Sequence, residues 1–595
     1  MTITGGTMRT NISRKMKLLL ATCVAGGIAF STPAIAESEP DPVVVTGDSF
    51  AGNYLAARIA ATDKDTENAA IFFRKALEID PENANLKLQG FLNYISNGDF
   101  SEGIIIGNEL SQGGNPPEIV NLILAVEDLR KKSWANAERR LNKKWRSALD
   151  RLMAGIVTGW VKLGQGKADE ALKTVDALKG PAWFDLFVQY HGGLIALASG
   201  NNKGAIKRLD AAFNNRAGGQ AATETYMRSL GALAQAYWKD GNKAKALEMV
   251  EEGLKRAPQS PIFERKKENI AADKAPGFSP LFAQRGAAEV FLNLGTAVDK
   301  EGGEQFARIY MQLAKVLSGN DDVITAQLAQ IYDKQGMLVR ANNLFGTIPD
   351  TSPLYKIARL ERALNLDELE ELTQAREELD ALVKDAPDDL VAHLSYGAVL
   401  ARHEKYGEAA EIYSRIIARL KTPKRYHWNL FYRQGIAYER TKQWPKAEAA
   451  FKKALELYPN HPNVLNYLGY SWVDMDINLQ EGLDMIRKAV ELRPADGYII
   501  DSLGWAYFKL GRYQEAVVQM ERAVELRPGD PTINDHLGDT YWRAKRYLEA
   551  TFQWRHALDL DPPEADVQRI EDKLEDGLDA VIEKELAAKK KLDKG

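Results

Sequence analysis

The sequence predicts an all-α fold: an α-solenoid of about fourteen helix–turn–helix units, with a capping helix at its C-terminal end. Three observations lead there. The chain has 595 residues and 66.2 kDa, far more than one compact core takes, so it is several domains or a repeat array. Prolines 459, 494, 528 and 562 are spaced 35, 34 and 34 apart. Each follows the same apolar-periodic segment: Ala454-Leu-Glu-Leu-Tyr458, Ala489-Val-Glu-Leu-Arg493, Ala523-Val-Glu-Leu-Arg527 and Ala557-Leu-Asp-Leu-Asp561. Proline ends each helix because it lacks an N–H and restricts the residue before it.

Composition fits a folded, soluble chain, with 45% apolar and 27% charged residues. Basic and acidic residues number 78 and 82. No positive excess exists to gather phosphates, so nucleic acid is not an expected partner.

The N-terminus reads as an export signal. Arg9, Arg14, Lys15 and Lys17 make a basic start, Leu18 to Phe30 is an apolar run, and Ala34-Ile35-Ala36 is a small-residue cleavage site. Cutting after Ala36 leaves 74 basic against 82 acidic residues, a net charge of −8, and no cysteine. Disulfides, a thiol nucleophile and Cys-ligated zinc are then excluded. The expected location is the periplasm. The alternative is an outer-membrane lipoprotein, because Leu20-Ala-Thr-Cys23 resembles a lipidation box. It has only a short apolar run before Cys23, and Thr22 suits that box poorly.

The repeat units carry a residue pattern. One copy reads Leu503-Gly504-x-x-Tyr507, Gly511, Tyr513, Ala516, Ala523, Pro528. The next reads Leu537-Gly538-x-x-Tyr541, Tyr547, Ala550, Trp554, Ala557, Pro562. An earlier one reads Gly435, Tyr438, Trp444, Ala447, Phe451, Ala454, Pro459. These copies resemble the tetratricopeptide repeat, a helix–turn–helix of about 34 residues, and the resemblance implies that they stack as a right-handed superhelix. Small residues let neighbouring helices approach, and aromatics fill the gaps. Weaker copies reach back through Tyr406-Ala409-Tyr413, Tyr332-Gly336-Ala341-Phe345, Tyr237-Gly241-Ala246 and Ala171-Val175 to Ala69-Phe73-Ala76-Pro81.

The expected organisation follows the phase of the pattern. Residues 1–36 are a signal peptide and 37–49 a short segment. Divergent repeats occupy 50–258 and a Pro-rich break 259–280. Further divergent repeats occupy 281–388 and well-formed ones 389–562. A solvated capping helix with a Lys-rich tail takes 563–595. A second, shorter break falls at Pro349 to Pro353.

No sequence motif for catalysis, cofactor or metal is found. His-Glu-x-x-His and Gly-x-Ser-x-Gly are absent from the sequence. Gly164-Gln-Gly-Lys167 lacks the residues of a phosphate loop, and Asp474-x-Asp476-x-Asn478 has Leu479 where a calcium loop needs glycine. Both read as turns between helices. Asp501-Ser502 and Asp535-His536 occupy one repeat position, which favours a surface role over an active site. The repeats leave 13 mature residues before them and 33 after, too few for a catalytic domain. The protein is expected not to be an enzyme.

The resemblance implies where a partner would sit. In such repeats the first helix of each pair lines a concave groove. Tyr498, Asp501, Trp505 and Phe508 form that face on one helix; Thr532, Asp535, Asp539, Trp542 and Arg543 do so on the next. Asn466, Tyr470, Asn429 and Tyr432 do so on the two before. Aromatics among Asn and Asp make a protein-binding surface. Acids stand where chaperone-tail clamps have Lys, Asn and Arg, so a cationic or neutral segment is expected.

The last 170 or so residues are also similar to large exported repeat proteins of Gram-negative bacteria. That group includes lipoprotein adaptors that activate a periplasmic carboxyl-terminal processing protease acting on cell-wall hydrolases. The resemblance implies an adaptor or scaffold in the cell envelope. The alternative is a structural component of an envelope or polysaccharide-export assembly.

Overall fold

The computed structural model describes residues 49–592, apart from 64, 113, 115, 278–281 and 301–302. The expected signal peptide, Cys23 and the end of the Lys-rich tail lie outside the described residues.

Among the described residues the chain forms helices and no strands. The first half pairs α1 (Phe50–Thr62) with α2 (Thr66–Ile79), and α3 (Ala84–Asn97) with α4 (Phe100–Gln112). Then come α5 (Glu118–Arg130) with α6 (Trp134–Leu141), and α7 (Ala148–Gly164) with α8 (Ala168–Asp176). Next are α9 (Phe184–Ala198) with α10 (Asn202–Asn214), the short α11 (Arg216–Ala221), α12 (Thr223–Lys239) with α13 (Lys243–Arg256), and the single α14 (Pro261–Ala271). The second half begins with α15 (Ala283–Lys300) and α16 (Glu304–Ser318), α17 (Asp322–Lys334) and α18 (Leu338–Phe345). It continues with α19 (Tyr355–Glu368) and α20 (Leu372–Asp385), then α21 (Leu390–Arg402) and α22 (Tyr406–Ile417). The next pairs are α23 (Trp428–Arg440) and α24 (Trp444–Leu457), then α25 (Pro462–Asp474) and α26 (Leu479–Leu492). The last are α27 (Gly497–Lys509) and α28 (Tyr513–Leu526), then α29 (Pro531–Arg543) and α30 (Tyr547–Asp559). Two helices close the chain, α31 (Glu564–Asp576) and α32 (Leu578–Leu592).

One turn recurs inside the hairpins. Its left-handed residue is Gly336, Glu370, Glu404, Lys442, Asp476, Gly511 and Lys545 in successive units of the second half. After Gly511, the Arg512 N–H reaches back to the Tyr507 carbonyl; after Lys545, Arg546 reaches Tyr541. These bonds satisfy the carbonyls left open at a helix end. The repeat prolines 459, 494, 528 and 562 fall two or three residues past the second helix of each pair, as the spacing predicts. Pro462 and Pro531 then start the following helix, where a missing N–H costs nothing. Gly469 and Gly482 let α25 and α26 touch through their backbones: a Cβ on Gly469 would stand 2.7 Å from the Gly482 carbonyl oxygen.

The architecture departs from a uniform solenoid in its middle. Each hairpin packs on the next, but α15 also lies against α7, α9 and α12, and α16 against α3 and α5. The pair fills the face formed by the first helices of the early hairpins. One continuous core therefore runs from Phe91 to Ala358, while later hairpins have smaller cores of their own. Buried polar groups fix this docking. Tyr190 donates to Glu289 at 2.6 Å, and the Arg228 guanidinium pairs with the same carboxylate. His191 lies 3.4 Å from both Trp160 Nε1 and Asn293 Nδ2, and burial lowers its pKa to about 3. Tyr332 donates to the Ser96 carbonyl at 3.3 Å, joining α17 to α3.

Two expected boundaries are corrected. The segment 259–280 is not simply a break, because Pro261 at the first helical position starts α14. The end of the chain is not one solvated capping helix. Gly577, with φ +81°, divides it into α31 and α32, and Lys573 is buried.

Candidate functional site

The first helices α23, α25, α27 and α29 carry all thirteen residues expected in the groove. Tyr432 on α23 is half-buried, with Phe451 and Tyr467 at ring distances of 6.1 and 5.9 Å, and Asn429 lies one turn before it. On α25, Asn466 and Tyr470 are half-buried, and burial, with Asp474, Asp501 and Glu439 nearby, pushes the Tyr470 hydroxyl above its ordinary range. Tyr498 on α27 is 51% exposed, with the Arg527 guanidinium 4.9 Å from its ring. Trp505 stacks between Phe508 at 4.7 Å and His536 at 4.2 Å.

The acids on this face are not available as the sequence suggested. Asp501 is buried and bonded to His536 Nδ1 at 3.0 Å. Burial alone would lower the His536 pKa, but Asp501, with Asp535 and Asp539 behind it, outweighs that and raises it. Lys573 of α31 reaches Asp535 at 2.8 Å and Asp539 at 2.7 Å. Arg569, one turn earlier, stands 3.7 Å from both. Trp554 Nε1 donates to Asp539 at 2.9 Å, so that acid is a core group.

The terminal hairpin also takes up Trp542 and Arg543. Trp542 Nε1 donates to Asp579 at 2.9 Å and Arg543 pairs with Asp579 at 2.5 Å. Four of the expected groove residues, Asp535, Asp539, Trp542 and Arg543, are thus engaged by α31 and α32. The expectation of an open acidic face is corrected on this ground: the chain supplies its own cations.

Sequence reasoning missed a second aromatic group. Trp428 stacks on His461 at 3.7 Å, Tyr458 meets His461 edge-on at 5.1 Å, and the Arg425 guanidinium sits 4.2 Å from the Tyr458 ring. Neighbouring Tyr426 is 62% exposed. Trp428 is the first residue of α23 and His461 the residue just before α25, so the two meet where consecutive first helices begin.

Ser502 donates its hydroxyl to the Tyr498 carbonyl at 3.0 Å. Among the described residues no three His, Cys, Asp or Glu side chains gather as a metal site would need. No described helix is long and apolar enough to cross a membrane.

The fold is that of a helical-repeat protein, and comparison with known proteins shows which repeats it is similar to. Tetratricopeptide repeat models match residues 51–83, 228–260, 360–422 and 428–461, and a TPR repeat model matches 504–545. These matches fall in both the early and the late parts of the chain. A TPR repeat-containing protein of Pseudomonas aeruginosa is 30% identical over 88 residues, which is 15% of this chain. That match spans 15% of the relative's own length. Among solved structures, the APC/C hetero-tetramer Cut9–Hcn1 is 14% identical, covering 90% of this chain and 97% of that one, with a TM-score of 0.35. MamA of Desulfovibrio magneticus RS-1 is 22% identical, covering 28% of this chain and 93% of that one, with a TM-score of 0.26. YrrB, described as a TPR protein with an unusual peptide-binding site, is 19% identical over 32% of this chain and 97% of that one, with a TM-score of 0.26.

Proposed function

We propose that this protein is an exported adaptor without catalytic activity, which holds a segment of a partner protein along the first helices α21 to α27. One observation carries the reading. Aromatic side chains on these helices, Trp428, Tyr432, Tyr470, Tyr498 and Trp505, are left partly exposed, while Asp501 beside them and Asp535 and Asp539 on the following α29 already have partners within the chain. Such a face favours a neutral, apolar segment over a cationic one, because Asp501, Asp535 and Asp539 are already held by His536 and Lys573.

The partner class proposed is a periplasmic carboxyl-terminal processing protease, which the adaptor activates. The similarity of the last repeats to Gram-negative adaptors supports this reading. Export rests on the basic start, apolar run and Ala34-x-Ala36.

The test uses the chain from Glu37 onward. Its binding to a processing protease of the same organism is titrated, and substrate cleavage is followed. Wild type should bind and speed cleavage. Trp505→Ala should weaken binding about 30-fold, the effect of losing about 2 kcal/mol at an aromatic anchor. Folded Trp505→Ala and Tyr498→Ala that bind as wild type does would remove this face from the reading. No binding to the protease, with envelope-assembly proteins captured instead, would favour the structural-component reading. N-terminal sequencing at Glu37 supports a cleaved leader; palmitate on Cys23 supports the lipoprotein.

A further inference from the structure

A second site lies where the central hairpins close against the early ones. A cavity of about 530 Å³ opens between the end of α3, at Asn97 and Gly98, and helices α16, α17 and α18. Its back is fixed by Tyr332, whose hydroxyl accepts from Gln312 Nε2 at 2.8 Å and donates to the Ser96 carbonyl. Residues more than 200 positions apart in sequence thus build one wall.

The charges in this cavity do not cancel. Arg340 donates to the Asn97 carbonyl at 3.3 Å and lies 3.8 Å from Glu67, an exposed carboxylate outside the lining. Lys315 lines the cavity with no carboxylate partner among the described residues. Burial alone acts on its ammonium and holds its pKa below the ordinary lysine value. Arg308 shares the helix face of Gln312 and Lys315, at the i, i+4, i+7 positions. It is bonded to Gln335 rather than to an acid, and its electrostatic neighbours are Tyr332, Glu304 and Arg340. The Asn97 amide is bonded to Asp99 beside the cavity.

We propose that this cavity binds a carboxylate carried on an apolar body, with Lys315 as its charge partner and the Arg340 guanidinium as a further donor. One ammonium is unpaired, so one negative charge balances the site, which favours a monoanion over phosphate. Val316, Leu344 and the Tyr332 ring supply an apolar lining for the rest of the ligand. The volume falls in the range of about 300–1,000 Å³ typical of small-ligand sites, well beyond one inorganic ion. The carboxylate could come from the C-terminal residue of a peptide or from a free organic acid, and the experiment separates the two.

Isothermal titration of the chain from Glu37 onward uses N-acetyl-leucine, N-acetyl-leucinamide, the tetrapeptide Gly-Ser-Ala-Leu in free and amidated forms, and inorganic phosphate. At least one free acid should bind, about ten-fold or more tighter than its amide, the gain of a charge-assisted hydrogen bond. Binding of the tetrapeptide without N-acetyl-leucine assigns a peptide end; comparable binding of both assigns a free acid. Lys315→Met removes the charge while keeping length. Asn343→Asp adds a negative charge at an exposed rim position, where folding is not at stake. Each should weaken the acid about ten-fold or more, with melting as in wild type. The proposal is overturned if acid and amide bind alike, if phosphate binds better than both acids, if no probe binds at millimolar concentration, or if both folded variants bind as wild type does. Neither substitution touches α21 to α30, so the outcome is separate from partner binding there.

Discussion

Replacing Lys573 by methionine tests whether α31 is locked to the last repeat by a buried ion cluster. The Lys573 side chain is fully buried, with Asp539 1% exposed and Asp535 12% exposed. Lys573→Met leaves two adjacent carboxylates without their ammonium. Breaking a buried pair by removing one partner costs about 3–5 kcal/mol. Arg569 remains 3.7 Å from both acids, so the lower end is expected: about 3 kcal/mol, or roughly 150-fold in the opening equilibrium of the terminal hairpin. Hydrogen exchange should show the loss in α29 to α32 and not in α1 to α10, because repeats are stabilised by their neighbours. The loss should also depend on pH. Burial, and next Asp535, already raise the Asp539 pKa above its ordinary value, with Lys573 pulling it down. Without Lys573 it rises further. A group with a raised folded pKa contributes stability at low pH that is lost as pH rises through that value. The variant should therefore approach wild type as pH falls from 8 towards 5. Adding Asp535→Asn and Asp539→Asn should restore much of the protection at pH 8, since a neutral set carries no stranded charge. Unchanged protection in Lys573→Met, or an equal loss across all hairpins, would refute the reasoning.

Two further outcomes are expected. Lys545 adopts φ +65° at the turn where Gly511, with φ +72°, stands one repeat earlier; Lys545→Gly should stabilise the last repeat by about 0.5–1 kcal/mol and Gly511→Ala should destabilise its neighbour by about 1 kcal/mol, read by urea unfolding. His536 has a raised pKa beside Asp501, so its contribution is full below about pH 6.5 and fades as pH rises through the folded value; His536→Gln should flatten that slope in melting curves between pH 6 and 9, and a parallel slope would contradict the pairing.

What was legible in the sequence was local and periodic. The proline spacing and the Ala-x-x-Leu segments place helix ends, because a repeat writes the same nearest-neighbour contacts again in each copy. The left-handed turn residue was legible at Gly511 and Gly336. It was not legible at Glu370, Glu404, Lys442 or Lys545, where the hairpin imposes the conformation on residues that do not favour it. The docking of α15 and α16 was invisible for another reason: Tyr190 meets Glu289 across 99 positions and Tyr332 meets Ser96 across 236, distances on which a 34-residue period is silent. Of the groove residues, the helix face was read from spacing, but their partners were not. Lys573 and Arg569 sit in an acidic stretch that looks solvated until it folds against Asp535 and Asp539.

The same hairpin serves two ends in this chain, and the difference lies in its first helices. On α5, Val120, Leu122, Ile123, Leu124, Val126 and Leu129 are all buried, and on α9 burial extends through Phe184, Phe187, Tyr190, Leu194 and Ile195. A helix apolar on every side must be covered on every side, and the partner that covers the inner side is the pair α15–α16. On α23, α25 and α27 the corresponding positions hold Asn429, Tyr432, Asn466, Tyr470 and Tyr498, side chains that tolerate water at one end and packing at the other. These helices need no internal cover, so their face stays open. Filling the inner side of the early repeats makes them a single packed body, and that body fixes where the later, open repeats begin. The chain therefore differs along its length: an early part whose inner side is already occupied by its own hairpin, and a later part whose aromatic face is left open, the face proposed above for a partner.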